Sequence, residues 1–227
     1  MFNNKYSKFL TVILVIVIIA VIGLLCFLGY DFYKKYYITK EADNILEQFD
    51  GQVANTQEEE NVVSNQVVTP IINEEVVTPS QGNNDNNGSS NNSGLTYNGF
   101  NVIGKIEIPK TNVKYPILET VTKKSIEKAV ARLYGPDPNE VGNCVIVGHN
   151  YRNGLFFANN KKLNEGDKIY ITDNSGRRVT YNIYKKYTTT PEDFDYATRD
   201  TNGKREISLS TCTDDIKHRL IIWAVEE

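Results

Sequence analysis

At 227 residues, with 40% hydrophobic and 23% charged side chains, the chain can hold one globular domain plus accessory segments. A net charge of -3 and the lack of any dense Lys/Arg patch set nucleic acid aside as a partner, because phosphate binding needs concentrated positive charge. Three cysteines, one of them in the apolar N-terminal run, exclude the even-numbered disulfide framework of a small secreted domain and leave at least one free thiol.

Residues 1–8 form a short N-terminus. From Phe9 to Tyr30, "FLTVILVIVIIAVIGLLCFLGY" carries no charge and is long enough to cross a bilayer as one helix. A cleaved signal peptide is the alternative, but the run exceeds a usual h-region and no small-x-small cleavage pattern follows it. Lys5 and Lys8 precede the span while Asp31, Lys34 and Lys35 follow it, so positive charge barely sets orientation. The long C-terminal part decides it instead, predicting a cytoplasmic N-terminus, a single-pass anchor in the cell membrane and an extracellular domain. Residues 31–50 read as a juxtamembrane helix whose tyrosines and lysines suit headgroups. Residues 51–98, with scattered acids and an Asn/Ser/Gly tract, bury too little apolar surface to order and read as a flexible linker. Such a tether reaches on the order of 35 to 40 Å.

Strand signals dominate residues 99–227. "FNVIGKIEIP" alternates, "GNCVIVGH" is a short apolar run between glycines, and "DKIYITD", "RRVTYNIYKKY", "REISLSTC" and "RLIIWAVEE" follow. "TKKSIEKAVARLY" places Ile126, Ala129, Val130 and Leu133 at helical spacing and predicts a helix ending at Gly135-Pro136. The pattern is that of a mostly β barrel or sandwich.

Three residues at strand ends carry possible chemistry. Cys212 closes "SLSTC", His149 follows "CVIVG", and Arg219 opens the last strand. A thiolate attacks carbonyls, a histidine moves its proton or pairs with it, and a guanidinium stabilises the resulting oxyanion. Singly, each has a plainer explanation in packing or a solvated charge; together, at strand tips of one small domain, they suggest a site.

"SLSTC" with Arg219 a short turn downstream, preceded by "GNCVIVGHN" and "LFFANNKKLNEGDKIYI", resembles the sortases, membrane-anchored cysteine transpeptidases of Gram-positive bacteria. The resemblance covers roughly residues 100–227, with serine where the family's Cys motif usually leads with threonine. It implies a closed eight-stranded β-barrel with one or two short helices and a two-step acyl transfer without cofactor or metal. Cys212 would attack the Thr-Gly carbonyl of an LPxTG-like sorting signal and hold the protein as a thioacyl. An amine of a peptidoglycan precursor or of a pilin would then accept it, anchoring a surface protein to the cell wall or extending a pilus. His149 would act as general acid and base, and Arg219 would hold substrate and oxyanion. Ser210 and Thr211, with Pro191, Phe194 and Tyr196 of the preceding loop, would bind the sorting signal. "GHN" and "STC" are class B-like, while Tyr187 to Ile207 is too short for that class's long helix, so the class stays open.

The same residues admit a rival. Cys144, His149, Cys212 and His218 supply four possible zinc ligands for a non-catalytic tethered binding domain. Cys144 alternates with Val145 and reads as a buried thiol, and His218 as a competitor for the histidine role. A tethered adhesin with an incidental Cys212 is a third reading. Glu165, Asp167, Asp193 and Asp195 lack calcium-loop spacing. Asp214 and Asp215, next to Cys212, disfavour a thiolate unless His149 and Arg219 outweigh them.

Overall fold

The alternating run Phe100–Ile108 forms a strand, β2, in the computed structural model, which describes residues 4–63 and 94–227. A two-residue β1 (Thr96–Tyr97) precedes it. Then come β3 (Val113–Leu118), β4 (Val130–Tyr134), β5 (Gly142–Val147), β6 (Lys168–Asp173), β7 (Arg178–Thr189), β8 (Arg205–Cys212) and β9 (Arg219–Glu226). The strands pair in the order β1-β2-β3-β4-β5-β8-β9-β7-β6, and β2 also pairs with β6. Strands β2 to β9 therefore close into the expected eight-stranded barrel, which leaves no long unpaired edge. Among the described residues, only β3–β4 and β5–β8 are parallel.

These pairings bring four strand ends together. In the parallel pair Val147 of β5 lies opposite Ser210 of β8. Cys212 lies opposite Arg219 across β8–β9, and Arg219 lies opposite Thr189 across β9–β7. The C-terminal ends of β5, β7 and β8 and the start of β9 thus share one end of the barrel.

The "TKKSIEKAVARLY" segment departs from its helical spacing. Only α2 (Lys123–Ile126) is helical, capped reciprocally by Thr122 and Ser125, and Val130–Tyr134 is strand β4. Ile117 pairs with Val130 on one side and Ala131 with Val147 on the other. A pair of waiting partner strands outweighs a weak local helical preference. A four-residue α3 (Asp195–Thr198) lies between β7 and β8, where a class B-like long helix has no room.

The N-terminal helix also runs further than its composition suggests. α1 spans Asn4–Val63 and includes the uncharged stretch 9–30, long and apolar enough to cross a membrane. Gly51 to Val63, placed in the linker by composition, continue this helix, and β1 also falls in the linker's expected range. The rest of that linker, residues 64–93, lies outside the described residues.

The chain divides into two compact units, up to Asn44 and from Ile45 to Glu227. In the second, Ile45 and Phe49 of α1 are buried with Tyr97, Val102, Leu118, Ala129 and Ala131. Lys105 of β2, its side chain 11% exposed, donates to Asp50 at 2.5 Å. An ammonium so far out of water requires such a partner. The second unit thus takes in Ile45 and Phe49 together with the strands, which begin at Thr96.

Candidate active site

β5 is buried from Asn143 to Ile146, which explains its unbroken apolar run between β4 and β8. Gly148 follows. A Cβ there would stand 2.9 Å from the Phe157 ring and 3.0 Å from Val130, so only glycine lets the chain pass. Its N–H donates to Ser210 O at 3.3 Å, and its carbonyl accepts from Thr211 Oγ1 at 2.7 Å. These bonds tie the residue just before His149 to the two residues that precede Cys212.

Cys212 is half-buried at the end of β8, and Arg219 Nη1 donates to its Sγ at 2.5 Å. A fixed positive charge beside the sulfur is suited to stabilise an oxyanion formed there. The His149 ring stacks on Tyr151 with centroids 4.7 Å apart, and Tyr151 tilts against Phe156. His149 O accepts from Phe157 N at 3.1 Å, fixing the base of the loop. Among the described residues, no hydrogen bond joins the His149 ring to Cys212 or Arg219. Catalytic hydrogen bonds often tighten only when substrate is bound.

Burial lowers the His149 pKa, with Glu127 pulling weakly the other way. The imidazole is therefore neutral at neutral pH and able to accept a proton. NMR titration is expected to place its midpoint below the ordinary value of about 6.5, and Glu127→Gln to move it lower still. Because the unfolded chain would take up the proton first, this residue withdraws stability as pH falls below about 6.5. A midpoint at or above the ordinary value contradicts the burial argument.

Both acids of the turn after Cys212 are hydrogen-bonded, and Asp214 is also ion-paired. Asp214 Oδ2 accepts from Lys161 Nζ at 2.6 Å and its Oδ1 from Asn150 Nδ2 at 2.9 Å. Asp215 Oδ1 accepts from Thr213 Oγ1 at 2.5 Å and from Lys217 N at 3.1 Å. Asn150 escapes sequence reasoning, although it directly follows the Gly-His pair. Its Nδ2 also donates to Cys212 O at 2.9 Å, tying the His149 segment to the end of β8. Cys212 opens on a cleft of about 170 Å³ shared by Asn150, Phe157, Lys161, Asp214 and Leu220.

The other expected binding residues divide. Ser210 and Thr211 are 3% and 5% exposed, and the Thr211 hydroxyl is held by Gly148, so both support the strand end more than they offer a surface. Pro191 and Phe194 are exposed on the loop that leaves β7 beside Arg219. Tyr196 is buried against Val145, Ala197 and Ile221, an anchor for that loop. Asn143 Nδ2 holds the loop by donating to Tyr196 O and Ala197 O, each at 3.0 Å. Arg199 stacks on Trp223 at 4.4 Å and pairs with Glu206. Neither Asn143 nor Arg199 carries a sequence signal beyond its polarity.

The zinc reading does not survive the geometry. Cys144 is 1% exposed, and burial pushes its thiol up to about 12. His218 lies on the exposed turn, 3.8 Å from Asp215. Among the described residues, no three His, Cys, Asp or Glu side chains gather to hold a metal. Asp167 is bound by Lys110 at 2.7 Å, and Asp193 by Thr189 and the Asp195 N–H, so those acids serve as loop ties.

Comparisons with known proteins bear on the family of this fold. The family model "Sortase domain" matches residues 106–227. Sortase A of Bacillus anthracis is 32% identical over 112 residues, covering 49% of this chain and 52% of that protein. The structure of Sortase A from Corynebacterium diphtheriae is 30% identical with a TM-score of 0.52, covering 56% of this chain and 61% of that one. The structure of a Clostridium perfringens Sortase D5 transpeptidase is 25% identical with a TM-score of 0.59, covering 83% of this chain and 99% of that one. The chain spans about half the length of the curated relatives it matches. Their names divide between A and D and fix no class. With the barrel closed as expected and the family model matched over more than half its residues, the chain belongs to the sortase family.

Proposed function

We propose that the protein is a membrane-anchored cysteine transpeptidase that works outside the cell on LPxTG-like sorting signals. The observation that carries this reading is the Arg219 guanidinium on the Cys212 sulfur, with His149 next to the Gly148 that bonds to Ser210 and Thr211. The Cys212 thiol gives its proton to neutral His149, and the sulfur attacks the scissile carbonyl. Arg219 faces the oxyanion. The tetrahedral intermediate collapses by breaking the C–N bond, and the imidazolium returns its proton to the leaving amine. The acyl group stays on Cys212 as a thioester. A primary amine, on a peptidoglycan precursor or a pilin, then forms the new amide and releases the cysteine.

Pro191 and Phe194, exposed on the loop beside Arg219, are suited to meet the sorting signal, and Tyr196 holds that loop in place. The test is cleavage and transfer of a panel of fluorogenic sorting peptides by the full-length protein in detergent. His149→Ala is expected to slow acyl formation by about 10² to 10⁴. A Cys212→Ala variant as active as the parent ends the proposal.

A further inference from the structure

We propose that Asp214, backed by Asn150, is the docking point for the ammonium group of the amine acceptor, and that Lys161 fills that point in its absence. The inference rests on the reading that a Cys212 thioacyl is passed to an amine. It starts from the cleft onto which Cys212 opens, whose rim carries an opposed carboxylate and ammonium, Asp214 and Lys161, at 2.6 Å. Lys161 is a primary amine on a flexible methylene stem, the same chemistry as an acceptor. Phe157, Ala158 and Leu220 line the same cleft and offer such a stem an apolar wall.

Three features make Asp214 a site rather than a passing surface contact. The Asn150 amide donates both to Asp214 Oδ1 and to Cys212 O, each at 2.9 Å, so one side chain fixes the carboxylate relative to the nucleophile's backbone. Hydrogen bonds from Lys161 and Asn150 hold the Asp214 carboxyl below the usual carboxylate range, so it is ionised at any working pH. The Lys161–Asp214 pair is about half exposed on both sides, and such pairs exchange readily with a competing ion. Arg219 supplies positive charge on the sulfur. The thioester would thus lie between a cation suited to its oxyanion and an anion suited to an incoming ammonium, and water gains nothing from the anion.

The chemistry balances. The docked ammonium gives one proton to neutral His149, and the freed nitrogen forms a C–N bond to the thioester carbonyl. The C–S bond breaks, its electron pair goes to Sγ, and the thiolate takes the second proton from nitrogen. His149 releases its proton to solvent.

The experiment partitions the thioacyl enzyme between transfer and hydrolysis, with full-length protein in detergent and a fluorogenic sorting peptide. The acceptors are triglycine, Nα-acetyl-lysine amide and hydroxylamine, the last uncharged at neutral pH. Because the ratio is read after acyl formation, changes in the first half-reaction cancel. Asp214→Asn is expected to lower the transfer-to-hydrolysis ratio roughly three- to tenfold for the ammonium acceptors and to spare hydroxylamine. Lys161→Ala is expected to raise it. A loss with triglycine alone, or with the lysine amide alone, supports the site and names its amine as α or ε. If both variants lower the ratio, or hydroxylamine suffers equally, or Asp214→Asn changes nothing, the site is overturned. If the parent forms no thioacyl on Cys212, the underlying reading falls first and this one with it.

Discussion

Arg219→Ala is expected to lower kcat by about 10² to 10³, the loss typical of removing one oxyanion donor. The guanidinium touches the sulfur directly and enters on the residue paired with Cys212, so its effect falls on the chemical step. Arg219→Lys is expected to recover little, because an ammonium is a compact point charge without the planar fork that can serve sulfur and oxyanion together. Steady-state kinetics with a single sorting peptide measures both variants. Lysine restoring full turnover means that charge alone suffices; alanine leaving kcat intact removes Arg219 from the mechanism.

Phe49→Ala is expected to destabilise the barrel unit by about 3 to 5 kcal/mol, the usual cost of emptying a buried phenylalanine site. Phe49 is 2% exposed and packs against residues of β1, β2, β3 and β4, so its loss opens a cavity that backbone strands close poorly. For a unit of this size the melting temperature should fall by about 6 to 20 °C. Phe194→Ala, at an exposed ring, should stay within about 1 kcal/mol of the parent and serves as the contrast. A chain begun at Gly99 lacks Ile45, Phe49 and Tyr97 together and is expected to be less stable than either variant. Thermal unfolding in detergent decides the point; a Phe49→Ala protein that melts with the parent would mean the helix contributes no packing.

The sequence was most readable where a strand's own pattern matched its place. β8 spans "REISLSTC", and β9 begins with "RLIIWAVEE" and stops one residue short of its end, because period-two alternation and a polar turn are local signals. β4 was not readable, since Val130 and Ala131 owe their conformation to β3 and β5 rather than to neighbours along the chain. The extent of α1 was missed for a related reason. "NILEQFD" shows an apolar stripe, but nothing local says that Ile45 and Phe49 have a barrel to cover.

The candidate site divides in the same way. Cys212, His149 and Arg219 stand at strand tips, which sequence can mark. That the segment carrying His149 meets the end of β8 depends on the parallel β5–β8 register and on the Asn150–Cys212 bond, which no periodicity encodes. The charge of Asp214 was visible beside the cysteine. Its partners were not, because Lys161 arrives from the 3₁₀ turn Asn160–Lys162 and Asn150 from the His149 loop.

The central claim is a covalent acyl group on Cys212. Intact-mass spectrometry of the full-length protein quenched during turnover of a sorting peptide tests it directly. The expected result is a mass increase equal to the N-terminal fragment of the peptide, localised to Cys212 and absent in Cys212→Ala. Peptide cleavage that proceeds with Cys212 unmodified, or an adduct that persists in Cys212→Ala, would contradict it.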